Sequence, residues 1–182
     1  MNFNKHFSLE GRHAIFSPSQ PAWLNYSDEQ IGISYENRKA ADLGTQLHAW
    51  AKTTIDLGIK QPRSAKTLYL YVNDAIGFKM QTEVLLYYSN YIFGTADAIS
   101  FRNNVLRIHD LKTGKSPVHI EQVRIYAALF CLEYGYKPYD IEIHLRIYQS
   151  NQVLTDDPDP SEIEDIMEKI KHLDMILKYI DK

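Results

Sequence analysis

The spacing of apolar residues along the chain predicts helices and strands in a definite order. Three segments carry apolar residues at every third or fourth position, the spacing of a helix with one buried face. These segments are 40–57, 118–134 and 159–181. Four further runs are rich in β-branched and aromatic residues, and the last of them alternates strictly between apolar and polar positions. These runs are about 82–88, 91–101, 105–112 and 141–149.

Residues with strong local preferences mark the ends of the predicted helices. Gly58 and Gly135 follow the first two helices, where glycine commonly ends a helix. Asp159 is the expected N-cap of the last helix, and Pro160 suits its first turn. Near the N-terminus, Ser19 is a plausible N-cap of an additional short helix.

The order of these elements predicts a mixed sheet with helices on its faces, an α/β or α+β fold. The first three strands are joined by connections too short for anything but antiparallel pairing. The helix before the fourth strand allows a parallel crossover. A chain of 182 residues suffices for one domain. We therefore expect a single domain, with an N-terminal extension over 1–39, a core over 40–150 and a C-terminal helix over 159–181.

Composition narrows the class of protein. Hydrophobic residues make up 45% of the chain, but no apolar run approaches the ~20 residues that cross a bilayer. The N-terminus lacks the apolar stretch of a signal peptide, so a cytoplasmic location is the expectation. The single cysteine, Cys131, cannot form an internal disulfide or a four-cysteine metal site, and its apolar surroundings predict a buried, inert thiol. A net charge of −3 predicts that any contact with nucleic acid is local.

Two aspartates and a lysine are predicted to meet on the hairpin formed by the second and third strands. With a two-residue turn at 103–104, apolar residues face apolar residues across the hairpin. The same register places Asp97 opposite Asp110, and Lys112 projects from the same face as Asp110. A shift by one residue would destroy both features, so the pattern supports its own register.

Directly opposed carboxylates require compensation for their charge. Opposed residues have Cβ atoms ~4.5–5.5 Å apart, where like charges are destabilising. A hard divalent cation such as Mg²⁺ or Mn²⁺ prefers carboxylate oxygens and would offset both charges. Lys112 could also compensate them in part, which would leave a surface charge cluster without a metal.

The segment GTADAISFRNNVLRIHDLKTGK, followed by EQVRIYAALF, resembles the RecB-like branch of the PD-(D/E)XK nuclease superfamily. That branch has a Gly-x-x-Asp strand, a strand ending in Asp-x-Lys and a helix with Gln-x-x-x-Tyr. Here the matching residues are Gly94 with Asp97, Asp110 with Lys112, and Gln122 with Tyr126. The segment GTQLH resembles the branch's helix motif, and SPSQPAWLNYS resembles the opening of phage-encoded and CRISPR-associated relatives.

The resemblance implies a restriction-endonuclease-like core with a central mixed sheet flanked by helices. It implies that Asp97, Asp110, the Leu111 carbonyl and His48 bind Mg²⁺ or Mn²⁺. Lys112 would position or activate the attacking water. Many relatives also carry an iron–sulfur cluster, which a chain with one cysteine cannot ligate.

Further residues receive roles from the resemblance. Gln122 would brace the metal-bound water or the strand, and Tyr126 would stack on a base or bond a phosphate. Glu83 would be a further acidic residue: one register of the first hairpin turns it away from Asp97, whereas a three-residue turn or a bulge places it opposite Asp97.

Three basic residues stand near the predicted site. Lys115, His119 and Arg124 could contact the DNA backbone, although a solvated surface explains single basic residues equally well.

The predicted function is metal-dependent hydrolysis of DNA phosphodiester bonds, by an exonuclease rather than an endonuclease. The resemblance implies a 5′-phosphate product and a place in DNA recombination, repair or phage DNA processing. It also leaves room for a homo-oligomer or a recombination partner protein. Two alternatives remain open: a nucleic-acid-binding module on the same fold that does not cleave, and a partner-binding protein that uses the C-terminal Ile/Leu stripe as its interface.

Overall fold

A computed structural model of the chain describes residues 5–9 and 14–181. The chain divides into two units, Met1–Gln46 and Leu47–Lys182. We predicted one domain with an extension ending at residue 39, whereas the division in the structure falls after Gln46. The sheet and every residue predicted for the site belong to the second unit.

Short 3₁₀ helices occupy the described start of the first unit. They are Phe7–Leu9 and Pro21–Asn25. The second confirms the predicted short helix, but its N-cap is Gln20, which makes no side-chain capping bond. Ser19 is therefore not the cap. The indole nitrogen of Trp23 donates a hydrogen bond of 2.9 Å to the Ser17 carbonyl, which ties this turn to the segment before it.

The first α-helix, α1, spans Asp28–Asp56 and begins well before the predicted start at residue 40. Its start is a capping box: the Ser27 amide donates to the Gln30 side chain at 2.8 Å, and the Gln30 amide donates to Ser27 Oγ at 3.3 Å. The reciprocal bonds satisfy amides that a helix start otherwise leaves unpaired. The polar first half of α1 has no apolar stripe, which is why hydrophobic spacing did not reveal it.

Five strands form one mixed sheet in the order β1-β2-β3-β4-β5. The strands are β1 (Gln81–Ser89), β2 (Ile92–Arg102), β3 (Val105–Lys112), β4 (Glu142–Gln149) and β5 (Gln152–Asp156). Only β3 and β4 pair in parallel, and the other neighbours are antiparallel. This arrangement confirms the predicted mixed sheet. The likeness to a restriction-endonuclease core stays a prediction.

Helices cover both faces of the sheet. Besides α1 they are α2 (Thr67–Gly77), α3 (Glu121–Tyr134) and α4 (Pro160–Ile180). One apolar cluster joins α3 and α4 to the sheet, and a second joins α2 and the last turns of α1 to its other face. As predicted, α3 links β3 to β4 and ends at Gly135, whose φ is +72°. No helix in the described ranges is long and apolar enough to cross a membrane.

Helix α2 and strand β5 escaped the sequence analysis, and local reasons explain both. Helix α2 lacks a start signal, because Lys66 precedes it and makes no side-chain capping bond. Its segment LYLYV also has β-prone residues, although the helix that it forms packs on the sheet. Strand β5 has five residues and follows β4 through a tight turn at Ser150 and Asn151, both of which have positive φ.

The spacing of residues in α1 predicted a buried stripe of Leu43, Leu47, Trp50, Thr54 and Leu57, which the structure confirms only in part. Thr54 is buried as predicted, and Ala51 and Ile55 are buried with it, whereas Leu43 and Leu57 are mainly exposed. The two stripes are displaced around the helix, and the small residue Ala51 lets α1 approach the second apolar cluster closely. Large apolar residues therefore misled the assignment of the buried face.

The predicted start of α4 is confirmed, and its apolar stripe is only partly buried. Asp159 caps α4 in a capping box with Glu162. Ile163 and Ile170 are buried against the α3 layer, whereas Ile180 near the end of the helix is 72% exposed. The first half of α4 thus packs as a helix that covers the core.

The thiol of Cys131 on α3 is 1% exposed, and burial raises its pKa to about 11. On the order of one thiol in a thousand is then ionised at pH 8, and the thiolate is the reactive form. We expect native protein to react with Ellman's reagent far more slowly than the same protein in denaturant. Equal rates in the two states would contradict the burial.

Candidate functional site

The hairpin of β2 and β3 has the predicted register, and the two strands stop pairing at the predicted site. Asn103 and Asn104 form the turn with φ of 52° and 61°. Pairing runs from there to Ala98, opposite His109. Asp97, which comes just before Ala98 in β2, does not pair directly with Asp110, contrary to the prediction.

The carboxylate of Asp97 takes the place of a backbone partner for β3. Its Oδ2 accepts a hydrogen bond of 2.8 Å from the Leu111 amide. Ala96 packs in the apolar cluster under α3, whereas Ala98 packs in the cluster under α2. The simple alternation of sides along β2 therefore breaks at Asp97, which lies where β2 and β3 separate.

The register of β1 and β2 decides the open question about Glu83. Thr82 pairs with Ala98 and Val84 pairs with Ala96, so Glu83 lies at the level of Asp97. The register shift that produces this alignment lies near the hairpin end, between Tyr87 and Ser89. Glu83 itself is exposed and has a φ of 50°.

A hydrogen-bonded network connects β3 to α3 at the site. The Lys112 amine donates to Gln122 Oε1 at 2.7 Å and to Asp110 Oδ1 at 3.3 Å. The Gln122 amide group donates to Asp110 Oδ1 at 3.1 Å and lies 3.5 Å from the Tyr126 hydroxyl. Four of the residues predicted for the site are therefore assembled, and Asp97 lies beside them at the strand opening.

One oxygen of Asp110 is buried without a well-aligned hydrogen bond. Asp110 is 2% exposed, and its Oδ2 accepts no such bond among the described residues, although Lys112 Nζ lies 3.0 Å away. A buried carboxylate oxygen in this condition is costly unless a further partner binds it.

Residues from the other helical layer border the same carboxylates. His48 on α1 places Nδ1 3.7 Å from Asp97 Oδ2. Tyr71 on α2 is 3% exposed, and burial together with the charges of Asp97 and Asp110 raises the pKa of its phenol. The sequence analysis missed Tyr71 because it missed α2, and no motif marked the residue.

The electrostatics of the site disfavour the charged form of Asp97. Burial and the nearby charge of Asp110 raise the pKa of Asp97 above its ordinary value, while the Leu111 amide, His48 and Lys112 oppose the rise. This direction is the one expected where protein groups compensate two neighbouring carboxylates incompletely.

Gly94 makes room for the aromatic ring of Tyr126. A Cβ at position 94 would lie 3.0 Å from Tyr126 Cε1, closer than most real contacts of this kind. The glycine of the Gly-x-x-Asp segment therefore has a packing reason: it lets the Tyr126 ring lie against β2, with its hydroxyl near Gln122.

Of the residues predicted to contact DNA, Arg124 is engaged by other protein groups, whereas Lys115 and His119 are exposed. The guanidinium of Arg124 bonds Asp156 through two nitrogens, at 2.7 and 2.9 Å, and Glu162 at 2.9 Å. These carboxylates engage Arg124 in tying α3 to β5 and α4, so we do not retain it as a DNA contact. Lys115 and His119 are exposed on the segment between β3 and α3.

The donor set is compatible with a metal that completes its shell from solvent and substrate. In the described ranges, no three His, Cys, Asp or Glu side chains are grouped closely enough to hold a metal by themselves. Mg²⁺ commonly binds through one or two carboxylates, with waters and phosphate oxygens as its remaining ligands. Asp97, with its raised pKa, and the unsatisfied Oδ2 of Asp110 fit that mode.

No family model, curated protein or solved structure matches this chain. The resemblance to RecB-like nucleases therefore depends on the residues quoted for it, and the site is interpreted from its own geometry.

The raised pKa of Asp97 predicts the sign of a stability change. A carboxyl with a raised pKa in the folded state destabilises the fold when it is charged at neutral pH. We expect Asp97→Asn to raise the thermal midpoint by roughly 2–4 °C at pH 7 in chelator. Differential scanning calorimetry measures the shift.

Asp174 on α4 is the matched control for this substitution. It is buried, but hydrogen bonds from Lys178 and Ser89 lower its pKa, so its charged form stabilises the fold. Asp174→Asn should lower the midpoint. A lower midpoint for Asp97→Asn as well would contradict the interpretation of the site.

Proposed function

We propose that the protein is a metal-dependent deoxyribonuclease that hydrolyses DNA phosphodiester bonds, most simply as a RecB-like exonuclease. The observation that carries the proposal is the network of Asp110, Lys112 and Gln122 beside Asp97 at the opening between β2 and β3. The motif residues that suggested a nuclease thus lie together on three different elements.

Mg²⁺ or Mn²⁺ would be held by Asp97 and Asp110, with the Leu111 carbonyl and His48 as further ligands. Asp110 Oδ2 is buried with the Lys112 amine 3.0 Å away but without a well-aligned hydrogen bond, which supports this assignment. When bound, the ion supplies a water of lowered pKa and stabilises charge on the phosphate. Binding would also remove the electrostatic cost of the two carboxylates, so the same ion would stabilise the fold.

Lys112 is oriented to act on a ligand. An ammonium has three N–H donors, and two of them are used by Asp110 and Gln122. The same amine also lies 3.0 Å from Asp110 Oδ2, so the attacking water or a phosphate oxygen would share it with that carboxylate. Because both protein partners are fixed, the amine is preorganised for charge that develops on the phosphate, which is how such groups lower a barrier.

Gln122 and Tyr126 fix the geometry on the α3 side. The Gln122 amide accepts from Lys112 and donates to Asp110, so its orientation is determined at both ends. The Tyr126 hydroxyl has its own proton available for a phosphate oxygen. This arrangement favours cleavage over a silent binding module, because it preserves both the carboxylates and the amine that hydrolysis requires.

Cleavage should depend on the carboxylates and the amine. We expect Asp97→Ala, Asp110→Ala and Lys112→Ala each to lower the cleavage rate on the order of a thousandfold, since each removes several kcal/mol of charge stabilisation. The assay uses end-labelled linear DNA with Mg²⁺ or with chelator.

Arg124→Lys is the matched control, because it alters a charged residue of α3 outside the network. Loss of linear DNA alone would identify an exonuclease, and nicking of closed circles an endonuclease. Wild-type rates in a purified Asp110→Ala variant, or undiminished cleavage in chelator, would refute the proposal.

Gly94→Ala tests the packing of Tyr126 against β2. The added Cβ displaces the ring, and we expect the cleavage rate to fall roughly ten- to hundredfold with little change in stability. Gly77→Ala is the control, because a Cβ there meets nothing within 4 Å. Equal activity of the two variants would show that the position of Tyr126 does not matter.

A further inference from the structure

Three side chains link α1 to the start of β1 close to the candidate site. Thr82 Oγ1 donates a hydrogen bond of 2.6 Å to Asp56 Oδ1. The Lys52 amine bonds Asp56 Oδ2 at 2.5 Å and Thr82 Oγ1 at 3.3 Å. We call these three residues the α1–β1 clamp. Its two helical members, Lys52 and Asp56, lie one and two turns beyond His48 on the same side of α1.

The clamp holds the residue that comes just before a strained position. Glu83 has a φ of 50°, a left-handed conformation that is costly for a residue other than glycine. Such a conformation persists only where its surroundings impose it. Here the neighbours impose it from both sides: the clamp fixes Thr82, and Val84 packs against the core under α3.

The strain has a consequence for the ladder between β1 and β2. Pairing is regular on both sides of Glu83, and it is interrupted at the level of Asp97. The interruption gives Glu83 and Asp97 side-chain directions that a regular strand pair would not allow. The charge of Glu83 raises the pKa of Lys52 in the clamp, and it adds the smallest contribution to the raised pKa of Tyr71, behind those of Asp97 and Asp110.

The helix alone does not require this arrangement. Lys52 and Asp56 are spaced i, i+4 and could pair on the surface of α1, where such pairs contribute little to stability. Thr82 is the member that crosses to the sheet. The hydrogen bond from Thr82 lies directly before the strained residue rather than elsewhere along β1. This position indicates that the bond acts on the conformation of Glu83.

We propose that the α1–β1 clamp is a positioning device that holds Glu83 beside Asp97, so that Glu83 contacts the water shell of the divalent ion. The inference rests on the proposed function, which supplies the ion. Thr82, Asp56 and Lys52 are positioning residues in this account, since they act through Glu83. Outer-shell groups of this kind orient ligands and tune metal affinity.

A double-mutant cycle tests the coupling between the clamp and Glu83. The variants are Thr82→Val, which keeps the β-branched shape, Glu83→Gln, and the two combined. The readout is the dissociation constant of Mn²⁺ by electron paramagnetic resonance, without DNA. We expect each single variant to weaken binding roughly tenfold, and the combination to be no weaker than Glu83→Gln alone. Asp56→Asn should reproduce Thr82→Val.

Thr53→Val is the control, because Thr53 is exposed on α1 and its hydroxyl donates to the Ala49 carbonyl of the same helix. Its Mn²⁺ affinity should equal that of the wild type, and circular dichroism confirms folding of every variant. Additive losses, or an unchanged affinity in Thr82→Val, would overturn the inference. Absence of DNA cleavage with the cycle still coupled would instead refute the proposed function and leave the clamp in place.

Discussion

The buried carboxylate of Asp110 and the half-buried carboxylate of Asp97 lie where β2 and β3 separate, and the rest of the site is arranged around their charge. Asp97 satisfies one oxygen with the Leu111 amide, and Asp110 draws donors from Lys112 and Gln122. Even with these partners, Asp110 Oδ2 accepts no well-aligned hydrogen bond, and the pKa of Asp97 is raised. A fold rarely retains such a cost unless a ligand removes it, and a divalent cation removes it most directly.

The fold brings these groups together by placing a helical layer on each face of the sheet. From one face α3 supplies Gln122 and Tyr126, and from the other α1 and α2 supply His48 and Tyr71. The parallel crossover through α3 is what allows the end of β3 to meet the start of that helix. Gly94 completes the arrangement by leaving space for an aromatic ring.

Much of this could be predicted from residues whose local rules are strong. The turn at 103–104 fixed the hairpin register, and Asp159 marked the start of α4. The predicted direct pairing of Asp97 with Asp110 was wrong. The Asp97 carboxylate accepts the hydrogen bond of the Leu111 amide in place of a backbone group, and the alternation of apolar and polar residues cannot reveal such a replacement. Helix α2 was missed because no capping residue marks its start, and Tyr71 was missed with it. Arg124 could not be assigned, because its partners on β5 and α4 are distant in sequence.

The most direct test follows the backbone amide of Leu111, which donates to Asp97, during a Mg²⁺ titration of ¹⁵N-labelled protein. The account predicts a saturable change in the chemical shift of this amide, with smaller changes at its neighbours in β3. A folded protein in which the Leu111 resonance does not respond to Mg²⁺, while resonances of exposed acidic residues on α4 do, would contradict the account.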